Sequence, residues 1–275
     1  MANRKQKNER GLWILGILDG KIAIITGAGQ GLGEGAAHAM TQEGACVALW
    51  GRTFEKVERV ANDINKAGGR ALAIKCDVSI RAEVDEALKK TIEAFGKLDI
   101  LATNHFAFAP YGTMEDTPLE TWDYEYRNNV IGTVNCMQAC FPYLKETGKT
   151  RHAKVITYGS ASGTIGSPTM SAYAASKEAI VGLTRVAAVE WGKYWINVNC
   201  IIPTGDSPAW LSTKAVRTPE QLKATMDHYL IKRPNYSIGD PIHDVGGAVV
   251  FLASSYSDWI TSRSLFVDGG TAYFR

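Results

Sequence analysis

Six short, almost wholly apolar runs punctuate this chain: "KIAIIT" (21–26), "ACVALW" (45–50), "ALAIKC" (71–76), "LDILAT" (98–103), "KVITYG" (154–159) and "INVNCII" (196–202). A longer stretch with helical character separates each from the next. A strand that faces water on one side alternates apolar with polar residues, whereas one buried on both faces reads as continuously apolar. The alternation therefore predicts an α/β fold, a parallel sheet covered by helices.

Punctuation between the runs agrees. In "TPLETW", Thr117, Pro118 and Glu120 supply an N-cap, a first-turn proline and a capping-box partner, predicting a long helix from there. Gly96 in "AFGKLDI" stands where a helix should end and a strand begin. No internal repeat and no dividing linker is present, so residues 19–275 read as one domain preceded by an arm over 1–18.

With 275 residues, 45% hydrophobic and 21% charged, the chain has the balance of a globular protein rather than a disordered or membrane-inserted one. A formal charge of +2 with scattered Lys and Arg excludes an electrostatic nucleic-acid binder. The start, "MANRKQKNER" followed by "GLWILGIL", has the charged and apolar regions of a signal peptide but no small-residue cleavage site, so an apolar arm packed on the domain or on a partner subunit is expected. Cys46, Cys76, Cys136, Cys140 and Cys200 are odd in number and without C-x-x-C spacing; they read as apolar fillers in a reducing, cytoplasmic compartment. The dispersed histidines suggest no metal site.

The first apolar run leads into "GAGQGLGEG", with glycines at 27, 29, 31, 33 and 35. Such density at a strand-to-helix junction means either a sharp bend or a close approach by something else. A phosphate at the positive end of the helix is one reading, an ordinary tight turn the other. Further on, Tyr173 and Lys177 in "SAYAASKEAI" lie one helical turn apart, and Ser160 follows the fifth run, at the carboxyl edge of the sheet where ligands bind in such folds.

In these residues the sequence resembles the short-chain dehydrogenase/reductase family. "TGAGQGLG" is similar to its T-G-x-x-x-G-x-G cofactor turn, "YAASK" to its Y-x-x-x-K, Ser160 to its serine and Asn129 in "NNVIG" to its fourth catalytic position. "CDVS" and "VDGG" match its adenine-side and C-terminal signatures, so the resemblance runs from about Asp19 to Gly270. It implies a Rossmann-like, doubly wound sheet of about seven strands. The implied activity is hydride transfer between a secondary alcohol or ketone and a nicotinamide cofactor.

Implied contacts to that cofactor are Gly27, Gly29, Gln30, Gly31, Leu32, Gly33, Arg52, Asp77, Val78, Asn104, Tyr173, Lys177 and Pro203. Tyr173 would exchange the proton if its pKa, ordinarily about 10, falls toward neutrality. A Lys177 ammonium would favour the phenolate. The resemblance further implies that Ser160 holds the substrate oxygen and that Asn129 helps hold a water chain to the lysine.

At the end of the second strand, NAD-preferring relatives place an acid against the ribose hydroxyls. Here Gly51 and Arg52 follow Trp50, so NADP(H) is expected over NAD(H), with stacking on adenine or exposure to solvent as the other use of Arg52. The sequence also departs from the family pattern: Asn-Asn-Ala-Gly becomes "TNHF", Pro-Gly becomes Pro203-Thr204-Gly205, and Ile-Thr-Gly becomes "ITS".

The segment from Pro203 to about Pro241 is the least regular, with a short helical stretch bearing Met226 and Tyr229; it reads as a substrate lid, within about 204–240, with a surface excursion or subunit contact as its other reading. His105, Phe106, Phe108 and Trp210 are the expected substrate contacts, with Pro110, Tyr111 and Met226 further along the same wall. An apolar wall suits a bulky hydrophobic alcohol or ketone as the small-molecule substrate; packing beneath a loop is its other reading. "CFPYLKET" and "GLTRVAAVEWGKYWINVN" resemble bacterial hydroxysteroid dehydrogenases acting on bile acids. A 3-oxoacyl or other small-ketone reductase is the enzymatic alternative, and a silent cofactor-binding module the alternative of another class. The resemblance also implies a homo-oligomer, tetramer or dimer, built on helices near 117–146 and 171–191.

Overall fold

The computed structural model describes residues 16–109 and 112–272, together with the backbone of a short antiparallel pairing of Gln6–Lys7 with Trp13–Ile14. Each of the six apolar runs forms a strand. In chain order these are β1 (Ile22–Thr26), β2 (Cys46–Gly51), β3 (Arg70–Lys75), β4 (Ile100–Thr103), β5 (Ala153–Tyr158) and β6 (Ile196–Pro203), joined by β7 (Ser264–Val267). They make one parallel sheet in the order β3-β2-β1-β4-β5-β6-β7. Every residue of β1, β4 and β5 is buried, as two-sided coverage requires.

Coverage comes from α1 (Gly31–Gln42), α2 (Phe54–Lys66) and α10 (Gly247–Ala253) on one face, and from α3 (Arg81–Phe95), α5 (Gly132–Gly148) and α7 (Ser171–Trp191) on the other. Alternate strand residues feed the two cores. Ile25 and Leu49 pack with Val249, while Ile24 and Leu101 pack with Cys136 and Val198. Gly96 caps α3 in the left-handed conformation.

The long helix after "TP" exists, but its start differs from expectation. Helix α4 (Leu119–Glu125) begins with Pro118 in the cap position, and Thr117 accepts no first-turn N–H. Its hydroxyl donates instead to the Thr113 carbonyl at 2.6 Å, so the preceding turn has claimed it. Helix α4 then runs through a π-helical turn at Tyr126–Ile131 into α5.

The 204–240 segment is more regular than expected. It contains α8 (Pro208–Val216) and α9 (Pro219–Asp227), with α6 (Ala161–Ile165) earlier in the chain. Ser207 caps α8, and Thr218 with Gln221 makes a capping box on α9, signals that stood in the sequence as Ser-Pro and Thr-Pro-x-Gln.

Most of the proposed arm lies outside the described residues. At its end Leu18 is fully buried in the core beside Ala45, and its N–H donates to the Glu43 carbonyl at 2.9 Å. Pro110 and Tyr111 also lie outside the described residues. All five cysteines are free, no described helix is long and apolar enough to cross a membrane, and no cluster among the described residues has the makings of a metal site.

Candidate active site

Sheet order reverses between β1 and β4, and the crevice at their carboxyl ends is where a doubly wound sheet offers a ligand site. The glycine turn fills one side of it. Gly27 (φ +63°) and Gly31 (φ +61°) adopt left-handed backbone conformations that a side chain would strain. Gln30, in the cap position of α1, caps none of the first-turn N–H groups with its side chain. They remain available to an anion, so the cradle fits a pyrophosphate.

Asn104, at the end of β4, fastens the turn, its Nδ2 donating to the carbonyls of Thr26 at 3.3 Å and Gly27 at 3.1 Å. From the 204–240 segment, Pro208 Cδ lies 3.2 Å from where a β-carbon of Gly31 would stand. The start of α8 thus abuts the turn. Leu32 is half-buried beneath it, 2.6 Å from where a Gly205 β-carbon would be.

Basic side chains gather beside the turn at the end of β2. Arg52 is exposed and makes no hydrogen bond or ion pair among the described residues. Lys56 donates to Gln30 Oε1 at 2.7 Å, and Arg59 forks onto Glu34 at 2.9 and 2.7 Å. Position 51 itself has no room for a side chain, because Val57 Cγ1 lies 2.7 Å from where a β-carbon would be. Across the crevice, Asp77 Oδ1 accepts from the N–H and hydroxyl of Ser79 at 3.0 and 2.7 Å, and Val78 is buried beside Gly132.

Tyr173 and Lys177 share one face of α7, as the spacing predicts. Nζ of Lys177 lies 5.8 Å from the Tyr173 ring centroid and donates to the Tyr158 carbonyl at 3.0 Å. Lys177 is only 2% exposed, and burial pushes its pKa down to about 8. Ser160 follows β5, caps α6 by accepting the Ser162 N–H at 3.2 Å, and so stands where α6 packs on α7.

Asn129 is wholly buried in the π-helical turn. It accepts the Ala107 N–H at 2.7 Å and donates to the Ala107 carbonyl at 3.1 Å and to Ser176 Oγ at 3.0 Å. Ser176 in turn donates to the Tyr173 carbonyl at 2.8 Å. A hydrogen-bonded chain thus ties the loop after β4 to the Tyr173 helix. Ser176 was not singled out from the sequence, although it sits inside "YAASK" on the next turn.

The expected substrate residues divide. Phe106 (57% exposed) and Phe108 (38%) stand edge-on to Tyr173, with ring centroids 6.4 and 5.4 Å away. His105, expected against the substrate, is instead turned inward: Nδ1 shares a 2.7 Å hydrogen bond with Thr26 Oγ1, and Nε2 faces Thr133 Oγ1 at 3.5 Å. Burial lowers its pKa to about 3, so it is a neutral internal strut. Trp210 is half-buried in the first turn of α8 under the guanidinium of Arg217, whereas Met226, expected in the same wall, is buried. Pro203 ends β6 opposite Val267.

Comparison with known proteins agrees with this geometry. The family described as enoyl-(acyl carrier protein) reductase matches residues 27–272. A 12alpha-hydroxysteroid dehydrogenase from a Clostridium species is 35% identical over 93% of this chain and 98% of its own length. The BbsD subunit of (2S)-[(R)-hydroxy(phenyl)methyl]succinyl-CoA dehydrogenase from Thauera aromatica is 29% identical over 94% and 98%. Among solved structures, a 3-ketoacyl-(acyl-carrier-protein) reductase from Brucella melitensis complexed with NADH superposes with a TM-score of 0.83 at 32% identity, over 93% of this chain and all of that one.

Proposed function

The chain belongs to the short-chain dehydrogenase/reductase family and is an oxidoreductase, and from that premise we propose that it interconverts a secondary alcohol and its ketone with NADP(H) on a hydroxysteroid such as a bile acid. The observation that carries the chemistry is the buried Lys177 ammonium 5.8 Å from the Tyr173 ring. A positive charge there favours the Tyr173 phenolate, which takes the hydroxyl proton as the alcohol is oxidised and returns it in the reverse direction. When bound, the nicotinamide cofactor supplies the hydride acceptor or donor. Ser160 aligns the substrate oxygen, and Asn129 helps hold a water chain through which Lys177 exchanges protons.

The glycine turn with Asn104 is proposed to hold the pyrophosphate, Asp77 and Val78 the adenine, and Pro203 the nicotinamide side. A preference for NADP rests on the second strand: an acid cannot occupy position 51 without displacing Val57, and Arg52 beside it is uncommitted. Its guanidinium matches the bidentate geometry of a 2′-phosphate. The NADH in the Brucella reductase makes NAD the competing choice.

Steroid specificity is supported by the aromatic edges of Phe106 and Phe108 at Tyr173, by the lid helix α8 with Trp210, and by the similarity to the Clostridium enzyme. The structural likeness to the Brucella protein favours a second reading, reduction of a 3-ketoacyl thioester. Exposed Val186 and Val189 on α7 are consistent with a homo-oligomer, and five free thiols with a reducing cytoplasm.

The test is reduction of NADP by purified protein against hydroxysteroids, including bile acids hydroxylated at different positions, with simple alcohols as controls. Rapid turnover of one steroid isomer is expected. Silence across the steroids alongside turnover of a 3-ketoacyl thioester would overturn the steroid reading.

A further inference from the structure

One turn before Asn129, the same helix carries a second buried polar side chain, Glu125, which is 2% exposed. Its Oε1 accepts the Ala109 N–H at 2.9 Å, while Asn129 holds both backbone groups of Ala107. Alternate residues of one segment are thereby fastened to the helix, and the residues between and before them, Phe108 and Phe106, are left edge-on to Tyr173. Glu125, Phe108 and Tyr173 also line a common cavity of about 10 Å³, close to the room one water requires.

A carboxyl is a costly choice for this position. Oε2 is buried and accepts no hydrogen bond among the described residues, and burial raises the pKa of the group. An apolar side chain of similar size would fill the space without that cost. What it would lack is charge. Lys177 is the cation that acts on Glu125, and Glu125 in turn opposes the effect of burial on Lys177.

We propose that, within the Tyr173–Lys177 chemistry read above, Glu125 is a positioning residue of the reaction centre. It holds Phe106 and Phe108 against Tyr173 and supplies a buried negative charge that raises the pH at which the Tyr173–Lys177 pair loses its protons. The other titratable groups facing this region are His105 from the loop after β4 and Cys200 from β6, with Asp77 acting on His105 and Glu178 on Cys200. Burial keeps His105 neutral and raises the Cys200 thiol, so neither carries charge near neutrality. Of the two acids among the described residues that act on Lys177, Cys200 and Glu125, Glu125 is the carboxyl.

Glu125→Gln keeps an acceptor for Ala109 and removes the charge. Loss of a negative charge makes both members of the pair more acidic, and for one buried charge the expected shift is about one pH unit. Tyrosinate absorbance is titrated in wild type and E125Q, each against the same protein with Tyr173→Phe, so that only Tyr173 contributes to the difference. The expected result is a midpoint about one pH unit lower in E125Q, with the pH profile of alcohol oxidation moving the same way and KM within about twofold. Glu125→Met, apolar and similar in volume, serves if E125Q does not fold and carries the same expected shift. Coincident titrations would overturn the proposal. The titration needs no turnover, so an inactive wild type would count against the alcohol–ketone reading while leaving Glu125 to be decided by the absorbance.

Discussion

The β-carbon that Gly33 lacks would stand 2.3 Å from Nδ2 of Asn104. That nitrogen cannot retreat without giving up its bonds to the Thr26 and Gly27 carbonyls, and the Gly27 carbonyl oxygen is itself 2.5 Å from the same point. Helix α1 therefore approaches the turn as closely as it does only because residue 33 is glycine. Gly33→Ala is expected to cost about 1–3 kcal/mol in stability, the range for overpacking a rigid site. It should also weaken cofactor binding by tenfold or more as the turn is displaced. Thermal unfolding with and without NADP, together with cofactor fluorescence titration, checks both effects.

The acid/base assignment predicts a sharper separation at Tyr173. Tyr173→Phe retains the ring that meets Phe106 and Phe108, so cofactor affinity should change less than about threefold while turnover falls by about a thousandfold or more. The pH dependence has a definite sign. Burial pushes Lys177 down to about 8, so the ammonium is present below that pH and lost above it. Support for the phenolate goes with it, and kcat/KM for alcohol oxidation should decline on the alkaline side of roughly pH 8. A profile still rising well above that pH would remove Lys177 from the role.

The sheet was legible because its signal is local: each continuously apolar run became a strand, and Gly96 and the glycine turn fell where their backbone conformations are needed. Within the candidate site, the shared helical face of Tyr173 and Lys177 was legible from their spacing. His105 was not, because its direction is decided by Thr26 and Thr133, which reach it from β1 and α5 and are far from it in sequence. Glu125 was missed for a related reason. Its helical position alone does not show that the π-helical turn at Tyr126–Ile131 and the loop at Ala107–Ala109 close over it. The 204–240 segment is a different case: α9 covers Met226 in the short helical stretch expected there, whereas α8 was not expected although its Ser207-Pro208 start was in plain view.

Stability at the far end of the sheet should be separable from catalysis. Lys154, the second residue of β5, is buried and donates to Asn197 Oδ1 and Ser257 Oγ at 3.1 Å each and to Asp258 Oδ1 at 2.7 Å. Lys154→Ala deprives Ser257 and Asp258 of this donor, leaves Asn197 Oδ1 with only His152 Nδ1, and opens a cavity, so a loss of about 3 kcal/mol is expected, with kcat unchanged. Denaturant unfolding alongside steady-state kinetics reads the two quantities independently.

Cofactor choice offers a test through one exposed residue. Arg52→Ala removes the guanidinium without touching the packing of Val57 under Gly51. The ratio of kcat/KM for NADPH over NADH should fall by about tenfold to a hundredfold, the worth of a charge-assisted hydrogen bond to phosphate. Lys56 is drawn toward Gln30 and remains as a second cation, so the preference should weaken rather than invert. Comparable turnover with both cofactors in the wild type would sink the assignment of Arg52 before any variant is made.

Phe108 provides the corresponding test of substrate class. Its ring meets Tyr173 edge-on with centroids 5.4 Å apart and is 38% exposed, so it presents apolar surface beside the group proposed to take the proton. A fused-ring substrate would cover that surface, whereas a short alcohol reaching the same hydroxyl position would leave it in water. Phe108→Ala should therefore raise KM for a bulky steroid by about tenfold or more, the equivalent of burying part of one aromatic side chain, and change KM for a small alcohol by less than about twofold. A uniform effect on both would mean that Phe108 acts by packing Tyr173 in place. The two roles separate in kcat: loss of substrate contact leaves kcat nearly unchanged at saturation, while loss of Tyr173 alignment lowers it for every substrate alike.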